Sequence, residues 1–185
     1  MNALILASAD CLPADLRDFV EILGGRRWAH VVIAVGAAGV FYGGRIDHWV
    51  VLHADELPDL RELRARHGGR YRNADYVTWT REGQPYAANA DRTAPHWKGS
   101  SGLLAVSVAF TLGAERIVLC GLPLDARPHL GSKDPWHASA NFRKDWLIRR
   151  ALLSPRIRSM NGWTEETFGR PTEEWLGLPE QQRSA

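Results

Sequence analysis

Short apolar runs alternate with amphipathic stretches along the whole chain. Ala3–Ala7, His30–Val35, His48–His53, Tyr76–Thr80, Arg116–Cys120 and Arg156–Met160 predict six strands. The run at His30–Val35 shows no polar alternation, the pattern of a strand covered on both faces. Between the runs lie helical patterns. Leu16, Phe19, Val20 and Leu23 share one face of a helix with Pro13 in its first turn and Gly24 as its stop. Leu57, Leu60 and Leu63 form a similar stripe, with Gly68 near its end. Ser101–Leu112 predicts an apolar helix, and 141–153 another, built on Phe142, Trp146 and Ile148–Leu153. Gly36–Gly44 reads as a glycine-rich turn or a short helix. Residues 81–97 are polar, carry Pro85 and Pro95, and read as one long loop.

Strands that alternate with helices predict an α/β fold: three-layer and Rossmann-like, with a mostly parallel sheet of about six strands and helices on both faces. Residues 1–163 are expected to form this single domain. Residues 164–185 are expected to form a tail with one or two short helical turns that then frays. Right-handed crossovers place every strand's C-terminal end on one edge, where ligands of such sheets bind. The loops that reach this edge begin at Ser8, Gly36, His53, Arg81, Gly121 and Asn161.

Composition narrows the partners. Of 185 residues, 24% are charged and the net charge is +2, so nothing demands nucleic acid or a lipid surface. Cys11 and Cys120 make neither a disulfide framework nor a zinc site. No apolar run approaches the ~18 residues of a membrane span. The first residues lack a basic leader, so a cytoplasmic location is expected. Tryptophan is frequent, and the Trp- and Arg-rich C-terminal region is a candidate surface for a protein partner or a second copy of the chain.

The chemistry concentrates in "KGSSGLLAVSVAFTLGAERIVLCGLPLD", Lys98–Asp125. Gly99, Ser100, Ser101 and Gly102 open a helix with small residues and hydroxyls. Such a turn can hold an anion on free amides, or Ser can simply cap the helix. Lys98 and His96 stand beside it. There is no G-x-x-x-x-G-K-[ST] and no G-x-G-x-x-G, which disfavours a standard ATP or NAD site. His53 and Asp55 close the third strand. Either His53 faces a ligand and Asp55 caps the next helix, or both join Asp10, His129 or His137 around a divalent metal. No residue is assigned as a metal ligand. Asp125 can bind a sugar or ribose hydroxyl, or satisfy its own loop. Ser8 and Gly36 end the first and second strands and are expected to border the ligand. Cys120 reads as a buried strand residue. Arg143, Lys144, Arg149, Arg150, Arg156 and Arg158 form a basic cluster, read as a solvated face or a surface for an acidic partner.

The stretch "GSSGLLAVSVAFTLGAERIVLCGLPLD" resembles the signature of the small bacterial sialyltransferases with a Rossmann-type fold, and of the related 6-hydroxymethylpterin diphosphokinase-like proteins. The shared features are an [ST]-S-G turn, a small-residue helix ending in "LG", a short strand, and a G-[IF]-D that stands here as "GLPLD". The resemblance implies a CMP-sialic acid-type donor held partly by the turn, with a histidine before the penultimate helix as general base. In "DPWHASANFRKDW" that histidine is His137. The chain departs from the family where the first strand leads into "ASADCLP" in place of a "GNGPS"-like turn. It also lacks asparagines after the second and third strands and the tyrosines of the lid.

The expected function is a nucleotide-binding group-transfer enzyme, a small glycosyltransferase with a nucleotide-sugar donor as substrate. Its catalytic residues would be His137 and Asp125, and its donor would sit on Ser8, Gly36, His53 and Gly99–Gly102. No cofactor is fixed, and a divalent metal stays open. The alternatives are a catalytically degenerate binding or structural accessory protein, of the kind a phage encodes, and a diphosphokinase-like or nucleotide-processing enzyme.

Overall fold

In a computed structural model that describes residues 1–95 and 97–179, seven strands form one all-parallel sheet. His96 and residues 180–185 lie outside the described residues, so the expectations placed on them have no structural counterpart here. The strands are β1 (Asn2–Leu6), β2 (Val31–Val35), β3 (His48–Val50), β4 (Val77–Arg81), β5 (Arg92–Ala94), β6 (Arg116–Cys120) and β7 (Ile157–Ser159). Their order is β5-β4-β3-β2-β1-β6-β7. The chain builds outward from β1 to β5, returns, and adds β6 on the other side of β1. The C-terminal ends of β1 and β6 therefore flank the point where successive connections diverge.

Helices cover both faces. Along β1, Ala3 and Ile5 point to one core and Leu4 and Leu6 to another. The first core receives α4 (Ser101–Thr111), α5 (Ala140–Ile148), α6 (Arg150–Leu153) and α7 (Gly162–Phe168). The opposite face carries α1 (Leu12–Leu23), α2 (Ala38–Phe41), α3 (Leu57–His67) and α8 (Glu173–Leu176). Helix α4 is apolar all round because it is buried from Gly102 to Ala109, spread across the middle of the sheet. Among the described residues, no helix is long and apolar enough to cross a membrane.

The structure amends several expectations. β5 lies inside the stretch read as a loop. Its Arg-Thr-Ala sequence has no strand signature, but the Asp91 carboxylate accepts from both the N–H (2.8 Å) and the hydroxyl (2.7 Å) of Thr78, pinning the segment beside β4. The helix over 141–153 breaks at Arg149, whose backbone (φ −103°, ψ 5°) leaves the helical region. Val20 and Leu63 face solvent at the rims of their helices. Gly24 does end α1, in the left-handed conformation (φ 55°), its N–H bonded to the carbonyls of Val20 and Glu21. Residues 164–179 carry the end of α7 and the short α8; Phe168 and Leu176 are buried, and Trp28 Nε1 donates to the Leu176 carbonyl at 3.1 Å.

Candidate ligand cleft

A cleft of about 510 Å³ opens at the C-terminal edge of the sheet, over the divergence between β1 and β6. Ala7–Ala9, Val35–Ala37, Leu52 and His53 supply the strand ends, and Gly121–Asp125 follow β6. Ser100–Gly102 enter from the start of α4. The far wall is Arg127, His129, Trp136, Ala138 and Phe142; Glu56 and Leu60 close the α3 side.

Of the residues expected at a ligand, the structure brings together Ser8, Gly36, His53, Ser100, Ser101, Gly102 and Asp125. Several are already committed. Ser8 Oγ donates to the Val35 carbonyl (2.9 Å) and accepts from the Ala38 N–H (3.2 Å), stitching β1 to the turn after β2. Gly36 sits at φ 51°; its N–H bonds to the Val50 carbonyl, and its own carbonyl accepts from Trp49 Nε1 at 2.8 Å. These two residues shape the wall and offer little to a ligand. Asp125 accepts the Arg127 N–H at 3.0 Å and pairs with the Arg127 guanidinium at 3.1 Å.

Ser100 is the N-cap of α4. It is buried, and its Oγ accepts from the Leu103 N–H at 3.4 Å while Trp146 Nε1 points to the same oxygen. The capping reading therefore holds for Ser100. It leaves the next amides open: among the described residues, the N–H groups of Ser101 and Gly102 have no acceptor. Both residues border the cleft, so the positive end of an eleven-residue helix faces it.

Gly99 and His137 do not line the cleft. Gly99 (φ 141°) is packed against Leu103 and Asp145. His137 is exposed in a single 3-10 turn, while its neighbours Trp136 and Ala138 border the cavity. Being next to a helix start fixed its place along the chain but not its side. His53 does line the cleft and is exposed; its carbonyl accepts the Glu56 N–H (3.1 Å), while its imidazole makes no hydrogen bond among the described residues. Asp55 caps no helix: it lies inside the 3-10 turn Ala54–Glu56, and the capping positions of that turn and of α3 are His53 and Glu56. Among the described residues no three His, Cys, Asp or Glu side chains are grouped to hold a metal ion.

Two features escaped the sequence reading. Trp136 stacks on Phe142 (centroids 5.6 Å apart, planes at 29°), and His129 meets Trp136 edge-on at 4.9 Å, giving the cleft a flat aromatic wall. His129 keeps solvent access, yet its apolar surroundings hold its pKa below the ordinary imidazole value. The second feature is Asp15, buried under the cleft floor. Its carboxylate accepts from the Gly121 N–H (2.7 Å), Asn161 Nδ2 (3.1 Å) and the Cys11 thiol (3.5 Å). Burial first, and Asp15 second, push the Cys11 thiol up to about 12, so Cys11 is a hydrogen-bond donor and not a nucleophile. Cys120, fully buried, is raised for the same leading reason.

Leu124 adopts φ 48°, uncommon for a non-glycine residue, immediately before Asp125. The turn is held by Arg143 Nε donating to the Leu124 carbonyl (2.9 Å) and by Thr164 Oγ1 donating to the Leu122 carbonyl (2.6 Å). The loop beyond it rests on the end of β1: the Leu130 N–H donates to the Ser8 carbonyl (2.6 Å) and the Asp10 N–H to the Pro128 carbonyl (3.0 Å). No protein-family model, curated protein or solved structure matches this chain.

Proposed function

We propose that this cleft binds a phosphate-bearing nucleotide and that the chain is a group-transfer enzyme of the small glycosyltransferase type, acting on a nucleotide-sugar donor. The observation that carries the reading is the amino end of α4. Two amides without acceptors open into a cleft at the divergence of β1 and β6, where parallel α/β sheets bind ligands. The Trp136–Phe142 wall supplies a surface on which a flat base can stack.

Charge limits the donor. Among the described residues, the formally charged side chains around the cleft are Glu56, Asp125 and Arg127, and Arg127 is already paired with Asp125. That balance suits one phosphate on the helix end better than a metal-free diphosphate. The imidazole best placed to deprotonate an acceptor hydroxyl is His53, in preference to His137, because it borders the cleft and carries no other bond. A second reading, a binding protein without chemistry, is favoured by the commitment of Asp125 to Arg127.

A thermal-shift panel of CMP, UDP, GDP and their sugars, with and without magnesium, tests the first step. At least one nucleotide is expected to raise the melting temperature. Ser101→Asp places a negative charge in the first turn of α4, which the helix tolerates, but it is expected to weaken that nucleotide by about tenfold or more, or about 1.4 kcal/mol. A panel with no stabilising nucleotide, or wild-type affinity in Ser101→Asp, contradicts the proposal. His53→Ala separates the two readings: lost transfer with retained affinity marks an enzyme, and a donor that binds wild type without turnover marks a binding protein.

A further inference from the structure

A second cavity, of about 520 Å³, lies at the far corner of the molecule and shares no residue with the first. Arg116 opens β6, and Arg158 stands in the middle of β7, opposite Val118 in register. Arg116 and Val118 are two residues apart on one strand, so Arg116, Val118 and Arg158 share one face of the sheet. It is the face covered by α8, which brings Thr172 and Trp175 to the same cavity.

The charges here do not balance. Arg170 also borders the cavity, but it is neutralised by Asp18 (2.9 Å) and Glu165 (3.7 Å). Glu173 is committed to Arg26. Arg158 has no carboxylate partner among the described residues. It donates to the Ser154 and Ile157 carbonyls (2.8 and 2.7 Å) and lies over the Trp175 ring, 4.8 Å from its centroid. Burial lowers its pKa below the ordinary guanidinium value, a sign that its charge is incompletely compensated. The Arg116 guanidinium makes no hydrogen bond or ion pair among the described residues and rests beside Gly177. Among the described residues, Glu174 is the only acidic side chain at the cavity wall, and it is exposed. The Thr172 hydroxyl accepts from the Trp175 N–H at 3.1 Å, which leaves its own proton free to donate.

We propose that this corner is a second ligand site, for a phosphate-bearing small molecule held between the guanidiniums of Arg116 and Arg158 with a hydrogen bond from Thr172. Guanidinium forks match phosphate oxygens in pairs, and two of them without acidic partners compensate the charge of a phosphate dianion. The stacking of Arg158 on Trp175 holds one fork in place before the ligand arrives, while the exposed Arg116 closes on it from the strand's start.

The test is a titration with inorganic pyrophosphate at constant ionic strength, followed through the indole N–H resonance of Trp175, assigned with Trp175→Phe. A saturable shift is expected. Arg116→Gln, at an exposed position, is expected to weaken binding about tenfold or more, and Arg116→Gln combined with Arg158→Gln to abolish it. Ser101→Asp, in the other cleft, is expected to leave it unchanged. No saturable shift at Trp175, an affinity unchanged in Arg116→Gln, or a response removed by Ser101→Asp would each overturn the proposal.

Discussion

Gly121→Ala is expected to destabilise the fold by about 2–5 kcal/mol, enough to remove much of the stability of an ordinary domain. Gly121 follows β6 where it meets the end of β1 and has φ 70°. A Cβ there would collide with the Ala7 carbonyl oxygen and stand 2.9 Å from the Leu12 Cβ. Neither obstacle is the tip of a flexible side chain. The Ala7 N–H is bonded to the Cys120 carbonyl (2.8 Å) and the Ala9 N–H to the Gly121 carbonyl (3.1 Å), so β1 cannot retreat without breaking the ladder. Overpacking contributes about 1–3 kcal/mol and the left-handed backbone about 1–2 kcal/mol. Gly113→Ala isolates the second contribution. Its φ is 82°, but a Cβ there meets nothing within 4 Å, so about 1–2 kcal/mol is expected. Urea denaturation of the two variants measures both. Equal losses would show that the close approach of β1 and β6 is not what holds this junction.

Asp15→Ala is expected to cost about 2–4 kcal/mol, because hydrogen bonds to a charged acceptor are stronger than neutral ones and buried donors left without partners carry a desolvation penalty. The variant strands the Gly121 N–H and the Asn161 amide beneath the cleft, since Asp15 is 2% exposed and water has no ready access. Asp15→Asn keeps one acceptor oxygen and is expected to lose less. Because the lost bonds anchor the strand ends on the cleft floor, nucleotide affinity is expected to fall together with stability in Asp15→Ala, whereas Ser101→Asp loses affinity alone. Thermal unfolding and nucleotide titration of both variants check this split. An Asp15→Ala protein as stable as wild type would contradict the anchoring role.

Much of the architecture is readable from periodicity. Six of the seven strands stand out in the sequence, and the turns that follow β1, β2 and β3 deliver Ser8, Gly36 and His53 to one edge. β5 is different. Arg92, Thr93 and Ala94 carry no strand pattern, and the bonds from Thr78 to Asp91 that hold them beside β4 join residues 13 apart in the chain. Asp15 left a trace: it falls at the same spacing as Leu12, Phe19 and Leu23, on the buried side of α1. A carboxylate on an apolar stripe is a sign of a buried partner, here the Gly121 N–H, 106 residues away. The histidines show the opposite limit. His53, His129 and His137 all sit in loops near the right edge, and sequence position cannot say which face the cleft. The packing of Trp136 on Phe142 and of His129 on Trp136 turns two members of that loop inward, while His137 faces solvent.

The central claim is that the free amides at the start of α4 receive a phosphate. Amide resonances report this residue by residue. In an NMR titration with CMP, the N–H signals of Ser101 and Gly102 are expected to show the largest saturable downfield shifts in the protein, with smaller ring-current changes at the Trp136 indole. If the strongest changes fall elsewhere, or if Ser101 and Gly102 do not move at saturating nucleotide, the phosphate does not bind at this helix end and the account of the cleft is wrong.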